Sequence, residues 1–372
     1  MALAGRKQAG NRVRIVDVAR KSGFSASTVS IVLNEAPLSR YVAASTKEHI
    51  RKTAQALGYR PDAFARSLRS RRSHTVGVMI FDISDPFCTL ILRGIEKTLH
   101  PTRYLPIIMD AHNERKMFEG YLEMLLDRRV EGLIVVANWL FAETDLLADM
   151  EKHNIPTVVI GRDLTPNRIS SVLVDNAAGA YAALDHLYQL GHRNIAFIRG
   201  PASLHDSVNR WRGIEKFAAE YGIDLDSRLI RELPEMLDAN SGFDGGVELT
   251  AELLRSGQEF TALMAFDDLT ALGALRSLTQ AGVRVPEDCS LIGFDDVPPA
   301  AFSTPAITTI CQPMEEMGMI GTEWVLKSID KDEESHVIAP ALKLLPPSVV
   351  LRDSTRPIGP LHTFHFALDN GA

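Results

Sequence analysis

Apolar residues in the first sixty positions recur at helical spacing, in short stretches punctuated by glycine, serine and proline. Ile15, Val18 and Ala19 share one face at i, i+3 and i+4, which predicts a short helix. Gly23 marks its exit, because glycine enters left-handed backbone without a Cβ penalty. Ser25 follows as an N-cap for a second helix whose inner face is Val29, Val32 and Leu33. Two helices so joined have the form of a helix-turn-helix, which lays its second helix in a DNA major groove. The pattern alone fits a generic helical hairpin equally well. Ser45-Thr46-Lys47-Glu48 has the spacing of a capping box, so a third helix is expected to start there. Ile50, Ala54 and Leu57 give it an apolar stripe, and Gly58 ends it. The stretch 61–69 is helix-compatible but too short to persist alone. It reads either as a segment that folds when something holds it or as a rigid linker.

Beyond residue 74 the pattern changes to short apolar runs alternating with amphipathic stretches, the signature of βαβ units. Strands are predicted at 75–81, 104–109, 132–137, 157–160, 194–199, 262–265 and 290–294. Helices are predicted between them, among them 89–99, 113–127, 177–191, 210–221 and 269–281. The pattern restarts at Asp175, after Val172-Leu173-Val174, and the length favours two α/β subdomains over one sheet.

Charge separates these two regions. Residues 1–74 hold 15 Lys and Arg against 4 Asp and Glu, a balance of +11. The whole chain carries −7, so residues 75–372 carry −18. A basic head on an acidic body suits DNA binding, because Lys and Arg contacts to phosphates release counterions. Arg6, Lys7, Arg12 and Arg14 would form a basic arm, and Arg69, Arg71 and Arg72 cluster at the other end of the head. Either cluster alone reads as a solvated charge run; the asymmetry between head and body does not.

The body carries no dinucleotide or P-loop glycine pattern; the first predicted strand runs into Asp82-Ile83-Ser84-Asp85-Pro86-Phe87. Asp267-Asp268 and Asp295-Asp296 fall at strand ends, where open α/β sheets bind ligands. They suit ligand hydrogen bonding or helix capping better than catalysis, so no enzyme, cofactor or metal is expected. His49, His74, His100 and His112 are scattered singly. Cys88, Cys289 and Cys311 are odd in number and far apart, as buried thiols of a reducing cytoplasm are. No apolar run approaches the roughly 18 residues of a membrane helix, and the basic, polar start is unlike a signal sequence. An exported sugar-binding protein, the nearest rival, would have no use for a basic head.

The head resembles the DNA-binding domain of the lactose-repressor/galactose-repressor (LacI/GalR) family of bacterial transcription regulators. The resemblance rests on Val16-Asp17-Val18-Ala19, Gly23-Phe24-Ser25, Thr28-Val29-Ser30, Val32-Leu33-Asn34, Gly58-Tyr59-Arg60-Pro61 and Ala65-Arg66-Ser67-Leu68. Landmarks continue through the body, among them Val174-Asp175-Asn176, Gly191-His192, Arg210-Trp211-Arg212-Gly213 and Thr308-Thr309-Ile310-Cys311-Gln312-Pro313, so it covers roughly 13–352. It implies an all-α helix-turn-helix head at 1–60 and a hinge helix with linker at 61–74. It implies next a two-lobed body of doubly wound parallel sheets at 75–352, of the periplasmic-binding-protein kind. The expected lobes are about 75–174 and 175–304, with crossovers near 305–330 and a C-terminal tail at 353–372. The tail has no leucine heptads, so a homodimer is expected rather than a coiled-coil tetramer.

By the same resemblance the DNA-contacting residues are Arg14, Ser25, Ala26, Ser27, Thr28, Ser30, Ile31, Asn34, Tyr59, Arg66, Leu68 and Arg69, with Leu68 as the minor-groove wedge. Ala26, Ser27 and Ile31 stand at base-reading positions, where many relatives carry long polar side chains. The loop 35–44 is about three residues longer than in the lactose repressor; Arg40 and Tyr41 there would either contact phosphates or cover the core. The implied effector contacts are Asp85, Phe87, Trp139, Asp206, Arg210, Asp267 and Asp295. Purine-responsive members carry a further arginine where this chain has Leu204, which weakens a purine reading, and the several carboxylates with aromatic faces suit a neutral, sugar-like effector. The expected protein is therefore a cytoplasmic, nucleoid-associated repressor that binds operator DNA as a homodimer under control of a sugar or sugar derivative.

Overall fold

Three helices in the head share one core, which holds together elements too short to persist alone. The computed structural model describes residues 13–59, 72–112, 114–137, 155–234, 241–330 and 340–358. The chain divides into two compact units, Met1–His74 and Thr75–Ala372. In the first, α1 spans Ile15–Ser22, α2 Ala26–Leu33 and α3 Ala44–Ala56, with a 3₁₀ turn at Pro37–Tyr41. Val18, Val29, Val32 and Ile50 are fully buried where the helices meet, and Ile15, Ala19 and Leu33 pack partly against them. Gly23 takes φ +76° and closes α1 by donating its N–H to the Ala19 carbonyl. Ser25 Oγ accepts the Thr28 N–H at 3.1 Å and so caps α2. Ser25→Ala should weaken the head by about 1 kcal/mol and Ser25→Gly by only a few tenths. Amide exchange along α2 in the whole chain checks this; equal protection in Ser25→Ala would show that the cap contributes nothing.

The start of α3 corrects the expectation. Its N-cap is Ala43, with no side-chain bond, and Ser45 lies inside the helix. The chain leaves the 3₁₀ turn with Val42 packed on the core, so the helix begins before Ser45 can act as a cap. Glu48 instead pairs with Lys52 at 2.8 Å.

The body contains two parallel sheets. The first lobe is built from β1 (Thr75–Ile80), α4 (Pro86–Leu99), β2 (Leu105–Asp110), α5 (Arg115–Asp127), β3 (Gly132–Val136), β4 (Thr157–Ile160) and β5 (Ser170–Val174). The second begins with α6 (Asn176–Gln189), β6 (Ile195–Arg199), α7 (His205–Tyr221), β7 (Ile230–Glu232), α8 (Ser241–Arg255), β8 (Ala262–Ala265), α9 (Asp268–Gln280) and β9 (Ser290–Ile292). It continues with α10 (Pro298–Phe302) and β10 (Thr309–Cys311); α11 (Met314–Ile329), β11 (Leu342–Leu345) and β12 (Ser348–Val350) follow. The strand orders are β11-β5-β4-β3-β1-β2 and β7-β6-β8-β9, every pair parallel, and β10 and β12 form a separate antiparallel ribbon. Each sheet is covered on both faces, which explains why its central strands read as continuous apolar runs.

The expected lobe boundaries need revision. After β10 the chain returns to the first lobe, where α11 packs on α4 and on β3 to β5 and β11 extends the sheet beside β5. The stretch 314–329, expected as part of a crossover, is thus a core helix with Met314, Met317 and Val325 buried. The last crossing falls between β11 and β12. Residues 353–358, expected as the start of a tail, are built into the second lobe. Ser354 is fully buried and bonded to Leu291 in both directions (2.8 and 2.6 Å), and Ile358 N–H reaches Leu190 O at 3.0 Å. The expected hinge helix and residues 359–372 lie outside the described residues.

Candidate functional site

The polar residues of α2 spend much of their bonding on the helix itself. Ser25 and Thr28 hydroxyls lie 2.9 Å apart, and the Asn34 amide donates to Ser30 O and Oγ at 2.9 and 3.2 Å. Ser27 is exposed, whereas Ala26 and Ile31 are half-buried. Arg14 is exposed at the start of α1, its backbone N–H bonded to Asp17 at 2.9 Å. Tyr59 packs on the edge of the head's core, where its N–H donates to Ala54 O. Arg66, Leu68 and Arg69 lie outside the described residues.

In the body the candidate residues gather at the carboxyl ends of strands, on both sides of the order reversals between β1 and β3 and between β6 and β8. Arg210 is the hub of the second lobe. It stands on α7 with 8 % of its side chain exposed. Its guanidinium donates to Asn176 Oδ1 (2.8 Å), to the Phe266 carbonyl (2.5 Å) and to Asp295 Oδ1 (3.0 Å). Phe294 lies 3.7 Å beneath it, a cation–π contact in a largely desolvated setting. Gln312 donates to the same Asp295 oxygen at 2.5 Å. Asp206 joins the network through Asn176 Nδ2 at 3.0 Å. The expected helix at 210–221 begins five residues earlier, at His205, and this sets Asp206 one turn before Arg210 on the same face. Its polar first turn carried no apolar period to reveal it.

Asp295 sits where a carboxylate is costly. Burial raises its pKa to about 7 against the opposing pull of Arg210, and the charges of Asp267 and Asp85 add to the rise. The influence of Asp85 is notable because Asp85 belongs to the first lobe, where it caps α4 by accepting Phe87 N–H at 2.9 Å. Burial likewise raises Asp206 and, more strongly, Asp268. Asp268 is a structural tie: it accepts Thr309 Oγ1 at 2.6 Å and Val297 N–H at 2.9 Å. Its neighbour Asp267 caps α9, accepting Thr270 N–H at 2.7 Å. Asp295 and Asp296 both adopt positive φ, +115° and +63°, strained for non-glycine residues. Arg352 holds Asp296 by an ion pair.

Phe87 is 6 % exposed and packs in the first-lobe core, so it meets Ile91 and its neighbours rather than the Arg210 network. Trp139 lies outside the described residues. Asn176, Phe266, Phe294 and Gln312, which complete the constellation, were not among the predicted contacts. Asn176 and Gln312 stood in the family landmarks; the Phe266 carbonyl left no signal at all. Among the described residues no group of His, Cys, Asp and Glu is arranged to hold a metal ion, and no helix is long and apolar enough to cross a membrane.

Comparison with known proteins follows this division. Residues 14–62 match the profile of "Bacterial regulatory proteins, lacI family", and residues 184–355 match a "Periplasmic binding protein-like domain". The chain is 31 % identical to the ribose operon repressor of Haemophilus influenzae, over 91 % of this chain and 97 % of that protein. It is 32 % identical to the transcriptional repressor PurR of Aliivibrio fischeri, over 91 % and 97 %. Among solved structures it resembles the Lac repressor dimer bound to operator and the anti-inducer ONPF, with a TM-score of 0.79 at 26 % identity, over 93 % of this chain and all of that one. A helix-turn-helix head, a doubly wound two-lobed body and matches along nearly the whole length have one reading: the chain belongs to the LacI family of bacterial regulatory proteins.

Proposed function

We propose that this protein is a transcriptional repressor whose affinity for operator DNA is set by a small, sugar-like effector bound between the lobes. The observation that carries the reading is the buried Arg210–Asp295 pair at the carboxyl ends of the second-lobe strands, 3.0 Å apart, with Asp85 of the first lobe among the charges that raise the pKa of Asp295. Carboxylates and the Gln312 amide suit a ligand rich in hydroxyl donors and acceptors, and Arg210 fixes one end of it. Asp206 and Asp267 border the same site, and Phe87 backs it from within the first-lobe core rather than by touching the Arg210 network. A ligand that touches both lobes favours their closed arrangement, and operator affinity and effector affinity are then coupled reciprocally.

In the head, Ala26, Ser27 and Ile31 face base edges, where Ala and Ile select thymine methyls rather than guanine. Ser25, Thr28, Ser30, Asn34, Arg14 and Tyr59 position α2, and Arg66, Leu68 and Arg69 act in the minor groove of a near-palindromic site occupied by a homodimer. The protein works in the cytoplasm on nucleoid DNA. Selection of operator duplexes, followed by binding at several salt concentrations, tests this. Affinity should fall steeply as salt rises. A thermal-shift screen of pentoses, hexoses, purines and nucleosides should return a sugar that changes operator affinity. Salt-insensitive or absent DNA binding would sink the repressor reading, and a purine as the sole hit would overturn the sugar.

A further inference from the structure

Consecutive residues on the loop after β9 are tethered to different parts of the body, and the last of them sits in the other lobe's core. Phe294 lies beneath the Arg210 guanidinium, Asp295 accepts from it, and Asp296 pairs with Arg352. Val297 is 3 % exposed and packs in the first-lobe cluster that also holds Phe87, Met314 and Leu345. Among the described residues no other one between Asn176 and Cys311 belongs to that cluster.

The loop has little slack. Asp295 and Asp296 hold positive φ, conformations that persist only where the surroundings over-determine them. Asp295 N–H donates to Ile310 O at 2.7 Å and its carbonyl accepts Gln312 N–H at 3.3 Å, which fastens it to β10. Val297 N–H donates to one oxygen of Asp268 at 2.9 Å, and Thr309 Oγ1 of β10 donates to the other at 2.6 Å. A Cβ on Gly293 would lie 2.2 Å from Asp268 Oδ1, so the loop is pressed onto that carboxylate. Arg352, two residues beyond β12, donates to Ile307 O at 2.9 Å while it holds Asp296. Consecutive Cα atoms are about 3.8 Å apart, so Val297 is within about 7 Å of Asp295 along the backbone. A change in what the Asp295 carboxylate binds is therefore felt at Val297, and a packed core answers by switching arrangement rather than by bending.

We propose that Val297 is the residue that passes effector occupancy to the first lobe, an inference that rests on the effector reading above. A ligand that takes over part of the bonding of Asp295 resets the strained Asp295–Asp296 backbone. Val297 carries the change into the packing around Phe87, in the first turn of α4. It touches no ligand; it is a positioning residue, and both the site and the first-lobe core bias the loop that bears it.

The test measures operator affinity of the full-length protein with and without a saturating probe. D-ribose, D-glucose, D-galactose and adenosine are the probes, and the one with the largest thermal shift in the wild type is used. The readout is the ratio of the two operator affinities. Val297→Ala should move that ratio toward one by about three- to tenfold while the probe still binds, and Val297→Ile should preserve it. Asp296→Gly relieves the strain and removes the Arg352 pair, so it should lower the ratio as well. Val76→Ala opens a cavity of the same kind in the same cluster and should leave the ratio unchanged. A ratio unchanged in Val297→Ala or in Asp296→Gly, or lowered equally by Val76→Ala, overturns the proposal. A wild type whose operator affinity answers to none of the probes would instead defeat the effector reading itself.

Discussion

Arg210→Met is expected to abolish stabilisation by effector and to destabilise the body by about 3–5 kcal/mol at about pH 8, with a smaller loss at about pH 6. Methionine keeps the volume but leaves Asp295 buried without its cation, and removes the donor from Asn176 and from the Phe266 carbonyl. The pH dependence follows from the direction of the Asp295 shift. Its pKa of about 7 lies above the ordinary value of 3.8, so between these values the folded protein binds more protons than the unfolded chain. The stability linked to that proton is fully present at low pH and is lost as pH rises through about 7. Removing Arg210 takes away an interaction that lowers this pKa, so the variant escapes much of its penalty where Asp295 can stay protonated. Asp295→Asn should flatten the pH dependence of the wild type, though not fully, because Asp206 and Asp268 are raised in the same sense. Calorimetric melts of the three proteins at both pH values, with and without a screened effector, decide the matter. Identical pH slopes in wild type and Asp295→Asn would show that Asp295 does not titrate in this window.

What could be read in advance follows from where the signal resides. The first two helices of the head were legible because a glycine exit and a serine cap are local, and their geometry depends on the residues that name them. The central strands were legible because burial on both faces demands continuous apolar runs, as in β1, β3 and β8. Among the three-residue strands, β7, β10 and β12 are too short to set a period, whereas β9 was legible because the apolar run continues past it to Phe294. The edge strand β11 exposes Leu342 and Leu344 and hides only Leu345, which reads as neither core nor turn. Helix α8 was masked by its own packing: Gly245 and Gly246 lower helix propensity, yet a Cβ on Gly246 would lie 2.2 Å from the Thr270 carbonyl oxygen on α9. The site divides in the same way. Arg210 and Asp295 entered through the resemblance, but their pairing bridges 85 positions. Half of Arg210's environment is a backbone carbonyl and an aromatic face, which no residue pattern announces. The start of α7 shows the limit most clearly, since moving it to His205 is what aligns Asp206 with Arg210.

Gly94→Ala is expected to destabilise the first lobe by about 3 kcal/mol, toward the upper end of what overpacking costs. Helices α4 and α11 cross at the closest approach their backbones allow. A Cβ on Gly94 would lie 2.0 Å from the Glu315 carbonyl oxygen, and one on Gly318 would lie 2.2 Å from that of Ile91. Neither obstacle is a side chain that can rotate away, so the helices must separate. Separation loosens the core in which Ile91, Ile95, Met314 and Met317 interdigitate and draws α11 off β3 to β5. Alanine's better helix propensity, about 1 kcal/mol, opposes this loss without cancelling it. Gly120 supplies the control: it is helical and exposed, and a Cβ added there would meet nothing within 4 Å. Gly120→Ala should therefore be neutral or stabilising by up to about 1 kcal/mol. The double variant Gly94→Ala/Gly318→Ala is the sharper measurement. One displacement of α11 relieves both clashes, so its cost should fall short of the two single costs combined by about 1 kcal/mol or more. Urea unfolding of wild type, the Gly120→Ala control, the two single variants and the double variant measures each quantity, and strict additivity would mean that the two glycines answer separate local demands rather than one shared helix crossing. The same displacement reaches the proposed effector site, because α4 carries Asp85 at its cap, and affinity for a screened effector should fall in parallel with stability.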